Sequence, residues 1–243
     1  MYLSEKKPKV IILCGGKGGR LQPLTEFIPK TLLPLNKKPV LQHIIEFYKK
    51  QNFNQFVLCT GYRSYDIEQF IKKSPLHVEI EISNSGEDAS ILQRLFDVSD
   101  YIEQRAIVTY GDTFIDIDIS KMLIAHARSS ADITITTTNI QNPFGIIGTT
   151  NGGLVTSFEE KPIFKYYIGH MVLEKIALNG VSDSLLKLPD GIGLIQLFNE
   201  LIRKKKLYTY QHDGLQLTFN TMEEHQKAQD IFVKFYTDFG KTV

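Results

Sequence analysis

Apolar positions along the chain follow two periods that alternate in blocks. Residues 9–14 (KVIILC) form a short unbroken apolar run ended by glycine, the pattern of a strand buried on both faces of a parallel sheet. Residues 39–52 (PVLQHIIEFYKKQN) open with Pro39 and space Val40, Ile44, Phe47 and Tyr48 along one helical face, with proline in the first turn. Residues 56–61 (FVLCTG) predict a second strand, 65–74 (YDIEQFIKKS) a second helix, and 77–83 (HVEIEIS) a third strand with period-2 alternation. The segment 91–102 reads as helix, 106–112 (AIVTYGD) as another buried strand and 121–129 (KMLIAHARS) as another helix. Strands alternating with helices imply crossover units, hence an α/β fold with a doubly wound, mostly parallel, Rossmann-like sheet.

The second half changes character. Residues 132–138, 144–150, 153–161 and 166–173 predict strands separated by turns, more like antiparallel additions than further crossover units. Residues 191–206 and 221–239 predict closing helices on either side of a strand at 205–214. No internal repeat, low-complexity tract or linker interrupts the chain, so residues 1–243 are expected to form one domain. Residues 1–120 would then be its nucleotide-binding half, and 121–243 its acceptor-binding and closing half. Ligands of such sheets bind outside the carboxyl ends of the parallel strands. The glycines after residue 13 and the Tyr-Gly-Asp at 110–112 occupy such ends and should face one crevice.

Composition narrows the partners. With 28 basic and 27 acidic residues the formal net charge is +1, so no global field recruits nucleic acid or an anionic membrane. The apolar run at 10–13 is far too short for a signal peptide or a membrane span, and a cytoplasmic protein is expected. Cys14 and Cys59 lie in strand-like runs and are expected to be reduced thiols. No arrangement of His, Cys or Ser supports a zinc or acyl-transfer enzyme, and His43, His77, His126 and His225 are expected to be structural or surface residues. Asp116 and Asp118 are expected to cap the helix that follows them.

The stretch 13–35 (LCGGKGGRLQPLTEFIPKTLLPL) carries the chemistry. A dinucleotide fingerprint fails, because the third glycine position counted from Gly16 is Leu21. A P-loop fails, because Lys17 is followed by Gly18. A plain glycine-rich turn would leave Arg20 and Lys30 unexplained among Pro23, Pro29 and Pro34. Exposed backbone amides with a guanidinium fork and an ammonium suit a polyphosphate.

These residues resemble the signature of sugar-phosphate nucleotidylyltransferases, roughly GGxGxRLxPLTxxxPKxLLP, with Gly19 where threonine is frequent. Segments 56–71, 78–102 and 107–119 resemble the glucose-1-phosphate cytidylyltransferase branch, over residues 9–162 in all with a weaker tail at 219–225. The resemblance implies attack of an acceptor phosphate oxygen on the α-phosphorus of CTP, with release of pyrophosphate and with Mg²⁺ as cofactor. Arg20 and Lys30 would be catalytic. Leu13, Gly15, Gly16, Gly18, Gly19, Thr60, Gly61, Tyr62, Ser90, Gln93, Tyr110 and Gly111 would surround the nucleotide. Asp112 would hold the metal, and Asn220 stands where the family has a second aspartate, which removes one negative charge. Asn220 also fits as an N-cap of the helix that carries Glu223 and Glu224.

The acceptor side departs most from the family. Glu160, Lys161 and Pro162 are retained, but "KYYIGH" (165–170) replaces a small Asn-Gly-Gly segment. Lys165, Tyr166 and His170, with Glu160 and Lys161, are therefore expected to bind the acceptor. The expected acceptor is a small phosphorylated metabolite, with phosphoglutamine in capsule phosphoramidate modification as the leading reading. Glucose 1-phosphate, another sugar 1-phosphate, or phosphocholine are the alternatives. Asn220 also leaves open a non-catalytic, nucleotide-binding regulatory paralogue, and a homo-oligomer is compatible with the sequence.

Overall fold

The computed structural model describes residues 7–239, with the side chains of the last helix as far as Phe232. β1 (Lys9–Leu13) leads into the glycine loop, followed by α1 (Leu24–Phe27), a 3-10 turn at Lys30–Leu32 and the short ladder of β2 (Pro34–Leu35) and β3 (Lys38–Pro39). Next come α2 (Val40–Lys50), β4 (Gln55–Thr60), α3 (Ser64–Lys73), β5 (Glu79–Asn84), α4 (Ile91–Asp97), β6 (Arg105–Tyr110), β7 (Thr113–Ile115) and α5 (Ile119–Ser129). The remainder is β8 (Ile133–Gln141), β9 (Ile146–Thr149), β10 (Val155–Glu159), β11 (Ile163–Glu174), α6 (Asp183–Leu186), α7 (Ile192–Arg203), β12 (Leu207–Gln211), β13 (Gln216–Thr218) and α8 (Met222–Phe239).

Seven strands form one sheet in the order β12-β8-β11-β6-β1-β4-β5. β6, β1, β4 and β5 are mutually parallel, β12 is parallel to β8, and β11 runs antiparallel to both β6 and β8. The expected doubly wound sheet is present. One expectation is corrected: β8 is no antiparallel addition but a further parallel strand, because α5 supplies the crossover that brings the chain back in the same direction. Reversal is confined to β11 in this sheet and to the β9–β10, β2–β3 and β13–β7 pairs.

Helices cover both faces because β1 is apolar on both. Val10 and Ile12 pack in a layer with Ile44 of α2, Met122 of α5 and Phe232 of α8. Ile11 faces the opposite way, toward Leu92 and Leu95 of α4 and Leu197 and Leu201 of α7. The helix starts follow local chemistry. Ser90 Oγ accepts the amide of Gln93 at 3.2 Å to cap α4, and Asp118 Oδ1 accepts that of Lys121 at 3.0 Å to cap α5. Asp116 does not cap α5, since its carboxylate meets His212 Nε2 at 3.0 Å. Nor does Asn220 cap α8. Thr221 Oγ1 accepts from the Glu224 amide at 3.2 Å, while the Glu224 carboxylate reaches back to the Asn220 amide at 2.6 Å, leaving the Asn220 side chain free to turn elsewhere. Among the described residues no helix is long and apolar enough to cross a membrane.

Candidate active site

The carboxyl ends of β1 and β6 meet at the mouth of a cleft of about 710 Å³. Gly111 donates its amide to the Leu13 carbonyl at 3.0 Å, and a Cβ there would stand 2.8 Å from that oxygen, so glycine is what allows the two strand ends to touch. In the loop after β1, Gly18 adopts φ 63°, and its carbonyl accepts from Thr25 Oγ1 at 3.0 Å. A Cβ on Gly16 would meet nothing, which leaves its backbone open to a ligand. Leu13, Gly15, Gly16, Gly18, Tyr110 and Gly111 all line the cleft, as the sequence predicts.

Four polar side chains from distant positions converge on its floor. Lys30 Nζ lies 2.5 Å from Asp112 Oδ2 and 3.3 Å from Asn220 Oδ1, and Arg20 donates to the same Asn220 oxygen at 3.0 Å. The Lys30 and Asp112 side chains are only 12% and 25% exposed, so their attraction is less screened than that of a surface pair. Pro29, with φ −60°, sets the 3-10 turn that aims Lys30 inward. Asn220 arrives on the segment after β13, which pairs with β7 directly downstream of Asp112.

Other predicted residues lie elsewhere. Thr60 is buried, its hydroxyl shared with Ser64 Oγ at 2.8 Å. The Gly61 carbonyl accepts the Ser64 amide, and Tyr62 braces the glycine loop from behind, its amide on the Gly15 carbonyl at 3.1 Å and its hydroxyl on the Thr25 carbonyl at 2.9 Å. Ser90 caps α4 and Gln93 bonds Asp97 one turn on. Thr60, Gly61, Tyr62, Ser90, Gln93 and Gly19 are thus absent from the cleft wall and shape it at most indirectly.

The predicted acceptor residues are not brought together in the cleft. Glu160 and Lys161 sit in an exposed turn before β11 with their charges 3.8 Å apart. Lys165 and Tyr166 pair with Asn139 and Thr138 on the exposed extension of β11. His170 is 2% exposed, bonded to Thr109 Oγ1 at 2.9 Å, and burial pulls its pKa down to about 3, so it is a neutral core residue. The cause is a bulge: register shifts between Tyr167 and Met171 around Gly169 at φ 75°. That kink presents Tyr167, Ile168 and Gly169 to the cleft instead.

Further lining residues escaped the sequence reading. Arg94 is 4% exposed and donates to the carbonyls of Thr60, Gly86 (2.8 Å) and Gly15 (3.3 Å), tying together the loops after β1, β4 and β5. Asp88 holds Lys17 at 2.7 Å, and Asp190 accepts the Ile91 amide at 2.9 Å. Gln216 and Thr218 face the cleft while Leu217 and Phe219 between and beyond them are buried. The polar-apolar alternation of "QLTFN" is the signal that would have found these two. Arg94 lies between core leucines on α4 and carries no such signal.

Chemically, the cleft offers charge and position. No histidine or serine lines it among the described residues. Cys14 does, but burial pushes its thiol well above the ordinary range, so it is no thiolate nucleophile. No group of three or more His, Cys, Asp and Glu could hold a metal by itself among the described residues. One carboxylate and one amide oxygen, both hard donors gathered around one ammonium, do fit a cation that also takes phosphate oxygens and water. Such a cation would neutralise charge on the phosphates when bound.

Known proteins share this architecture. The family model for nucleotidyl transferase matches residues 9–241. The D-glycero-alpha-D-manno-heptose 1-phosphate guanylyltransferase of Campylobacter jejuni is 33% identical over 157 residues, covering 65% of this chain and 70% of that protein. The glucose-1-phosphate cytidylyltransferase of Salmonella typhimurium is 28% identical over 178 residues, covering 63% and 69%. The crystal structure of HddC from Yersinia pseudotuberculosis complexed with GMP-PN superposes with a TM-score of 0.68 at 21% identity, covering 93% of this chain and all of that one, which shows the fold.

Proposed function

The chain belongs to the nucleotidyl transferase family, and from that premise we propose that it transfers CMP from CTP to the phosphate of a sugar 1-phosphate. An acceptor phosphate oxygen attacks the α-phosphorus of CTP, the new P–O bond forms as the bond to the β-phosphate oxygen breaks, and pyrophosphate leaves with the negative charge. The observation that carries this reading is the convergence of Arg20 and Lys30 on the Asn220 oxygen beside Asp112, at the open end of the glycine loop. Reactions of this kind need positioning and charge neutralisation more than covalent chemistry. Arg20 and Lys30 supply neutralisation to the triphosphate, and the open backbone of Gly16 supplies close approach. Asp112 and Asn220 are the residues that would hold Mg²⁺. A cleft of about 710 Å³ is within the range for a nucleotide-sized ligand.

CTP is supported by the likeness of segments 56–71, 78–102 and 107–119 to the cytidylyltransferase branch, and by the Salmonella relative. GTP is the second reading, favoured by the Campylobacter relative at 33% identity. A sugar 1-phosphate acceptor is supported by both relatives' names. Phosphoglutamine drew its support from residues 160–170, most of which lie off the cleft, so it now ranks below the sugar phosphates. The test is a pyrophosphate-release screen of the four ribonucleoside triphosphates against glucose 1-phosphate, a heptose 1-phosphate, phosphocholine and phosphoglutamine. Release with CTP and a sugar 1-phosphate supports the reading. Release confined to phosphoglutamine overturns the acceptor, and saturable CTP binding without release in any pair favours a regulatory paralogue.

A further inference from the structure

Two loops form facing walls of the cleft: the glycine loop after β1, and the segment after β5, from which Glu87, Asp88 and Ala89 line it. At the rim they are joined by Lys17 and Asp88, 2.7 Å apart with both side chains exposed, a pair that water and salt screen. Beneath the rim they are joined by Arg94. Its Nη2 donates to the Gly86 carbonyl at 2.8 Å and to the Gly15 carbonyl at 3.3 Å, while Nη1 donates to the Thr60 carbonyl. The rim pair can part and re-form in solvent, but Arg94 is buried and has no such freedom.

Packing alone does not call for an arginine there. Leu92 and Leu95 of α4 enter the core on either side of it, and burying a guanidinium among them carries a desolvation cost that an apolar residue avoids. What the guanidinium adds is a rigid fork of donors, which fixes the distances between the chain segments whose carbonyls it binds. The glycine loop is shaped around it. A Cβ on Gly15 would overlap Cζ and Nη1 of Arg94, so that glycine is small for the guanidinium, whereas a Cβ on Gly16 would meet nothing. The first turn of α4 is fixed as well, by the Ser90 cap and by Asp190, whose carboxylate accepts the Ile91 amide at 2.9 Å. We propose that Arg94 is a positioning residue that sets the gap between the two loops to the width of the nucleotide, an inference that rests on reading the cleft as a nucleotide site. It acts through the backbones of Gly15 and Gly86. Its bonds do not reach β11, whose Tyr167, Ile168 and Gly169 form another part of the wall, so its loss falls on the nucleotide and not on the acceptor.

Calorimetric titration of the full chain with CTP and with GTP, beside steady-state KM values for nucleotide and sugar 1-phosphate, tests this well below the unfolding midpoint. Arg94→Lys keeps the charge and loses the fork. It is expected to weaken binding of whichever nucleotide the wild type takes, and to raise that nucleotide's KM, by about 10-fold or more while the acceptor KM stays unchanged. Gly15→Ala leaves Arg94 in the chain but displaces its guanidinium, and is expected to give the same split. Because both variants break one contact, combining them is expected to add little to the larger single effect. Should Arg94→Lys fail to fold, Gly15→Ala decides by the same split. A less stable Arg94→Lys that binds nucleotide as the wild type does overturns the proposal, as do a loss shared equally by both substrates and fully additive losses. A wild type that binds nucleotide yet releases no pyrophosphate removes the transfer reading alone, and the titrations still decide the role of Arg94. A wild type that binds neither nucleotide overturns both.

Discussion

At the floor of the cleft a single ammonium, that of Lys30, touches both oxygens that would anchor a cation, and Arg20 holds one of them from the other side. Lys30→Ala and Asp112→Ala are each expected to lower turnover by about 10²–10⁴-fold with circular dichroism unchanged, since each removes charge stabilisation that no neighbour replaces. Near-normal steady-state rates in both variants would remove the site assignment. Asn220→Asp restores a second carboxylate, and is expected to tighten Mn²⁺ binding to the nucleotide-free protein in electron paramagnetic resonance titrations. Equal affinity for both proteins would show that Asn220 Oδ1 serves the two cations alone. Arg94→Met strands the buried carbonyls of Thr60 and Gly15 and is expected to cost ~3 kcal/mol in urea unfolding. The sequence made Arg20, Lys30, Asp112 and Asn220 legible because a fixed motif carries them. It could not show that His170 is a core residue, because a bulge set by Gly169 decides which way that side chain points.

Loops held by strand ends give the cleft its shape. The approach of Gly111 to the Leu13 carbonyl joins the ends of β1 and β6, so Gly111→Ala must push them apart. It is expected to raise the KM for nucleotide and lower the thermal midpoint together, and a variant with wild-type KM would mean that the strand ends do not set the nucleotide's position. The longer elements of residues 9–129 were legible because their apolar periods are distinct, whereas α1, β2, β3 and β7, of four residues or fewer, are too short to show a period. Strand direction was not: the alternation in "DITITTT" is the same whichever way the strand runs, and only the crossover helix α5 fixes β8 as parallel. The bracing roles of Tyr62 and Arg94 depend on loops from three strands meeting, which no local pattern records.

Across the whole molecule, the two core layers hold several histidines in the neutral state. Burial lowers the pKa of His170 to about 3 and lowers those of His43 and His126 from the usual 6.5. Below about pH 6.5 the unfolded chain binds these protons and the folded one does not, so stability is full above that pH and falls as pH drops toward the folded values. The thermal midpoint is expected to decline from neutral pH to about pH 5, and His170→Asn to flatten that decline. An unchanged slope would assign the decline to other groups. Fold class was legible because alternation of strands and helices extends over half the chain, while the acceptor was not, since the cleft wall joins Tyr110, Tyr167 and Gln216 from widely separated segments. In the proposed transfer a phosphate oxygen of the acceptor becomes bonded to the α-phosphorus of the nucleotide. Phosphorus-31 spectroscopy of CTP and a sugar 1-phosphate turning over with the enzyme and Mg²⁺ observes that bond directly. Transfer is expected to give paired resonances of a new diphosphate linkage rising with free pyrophosphate, and neither in the Lys30→Ala protein. CMP with unaltered sugar phosphate, or no change in any phosphorus signal, would contradict it.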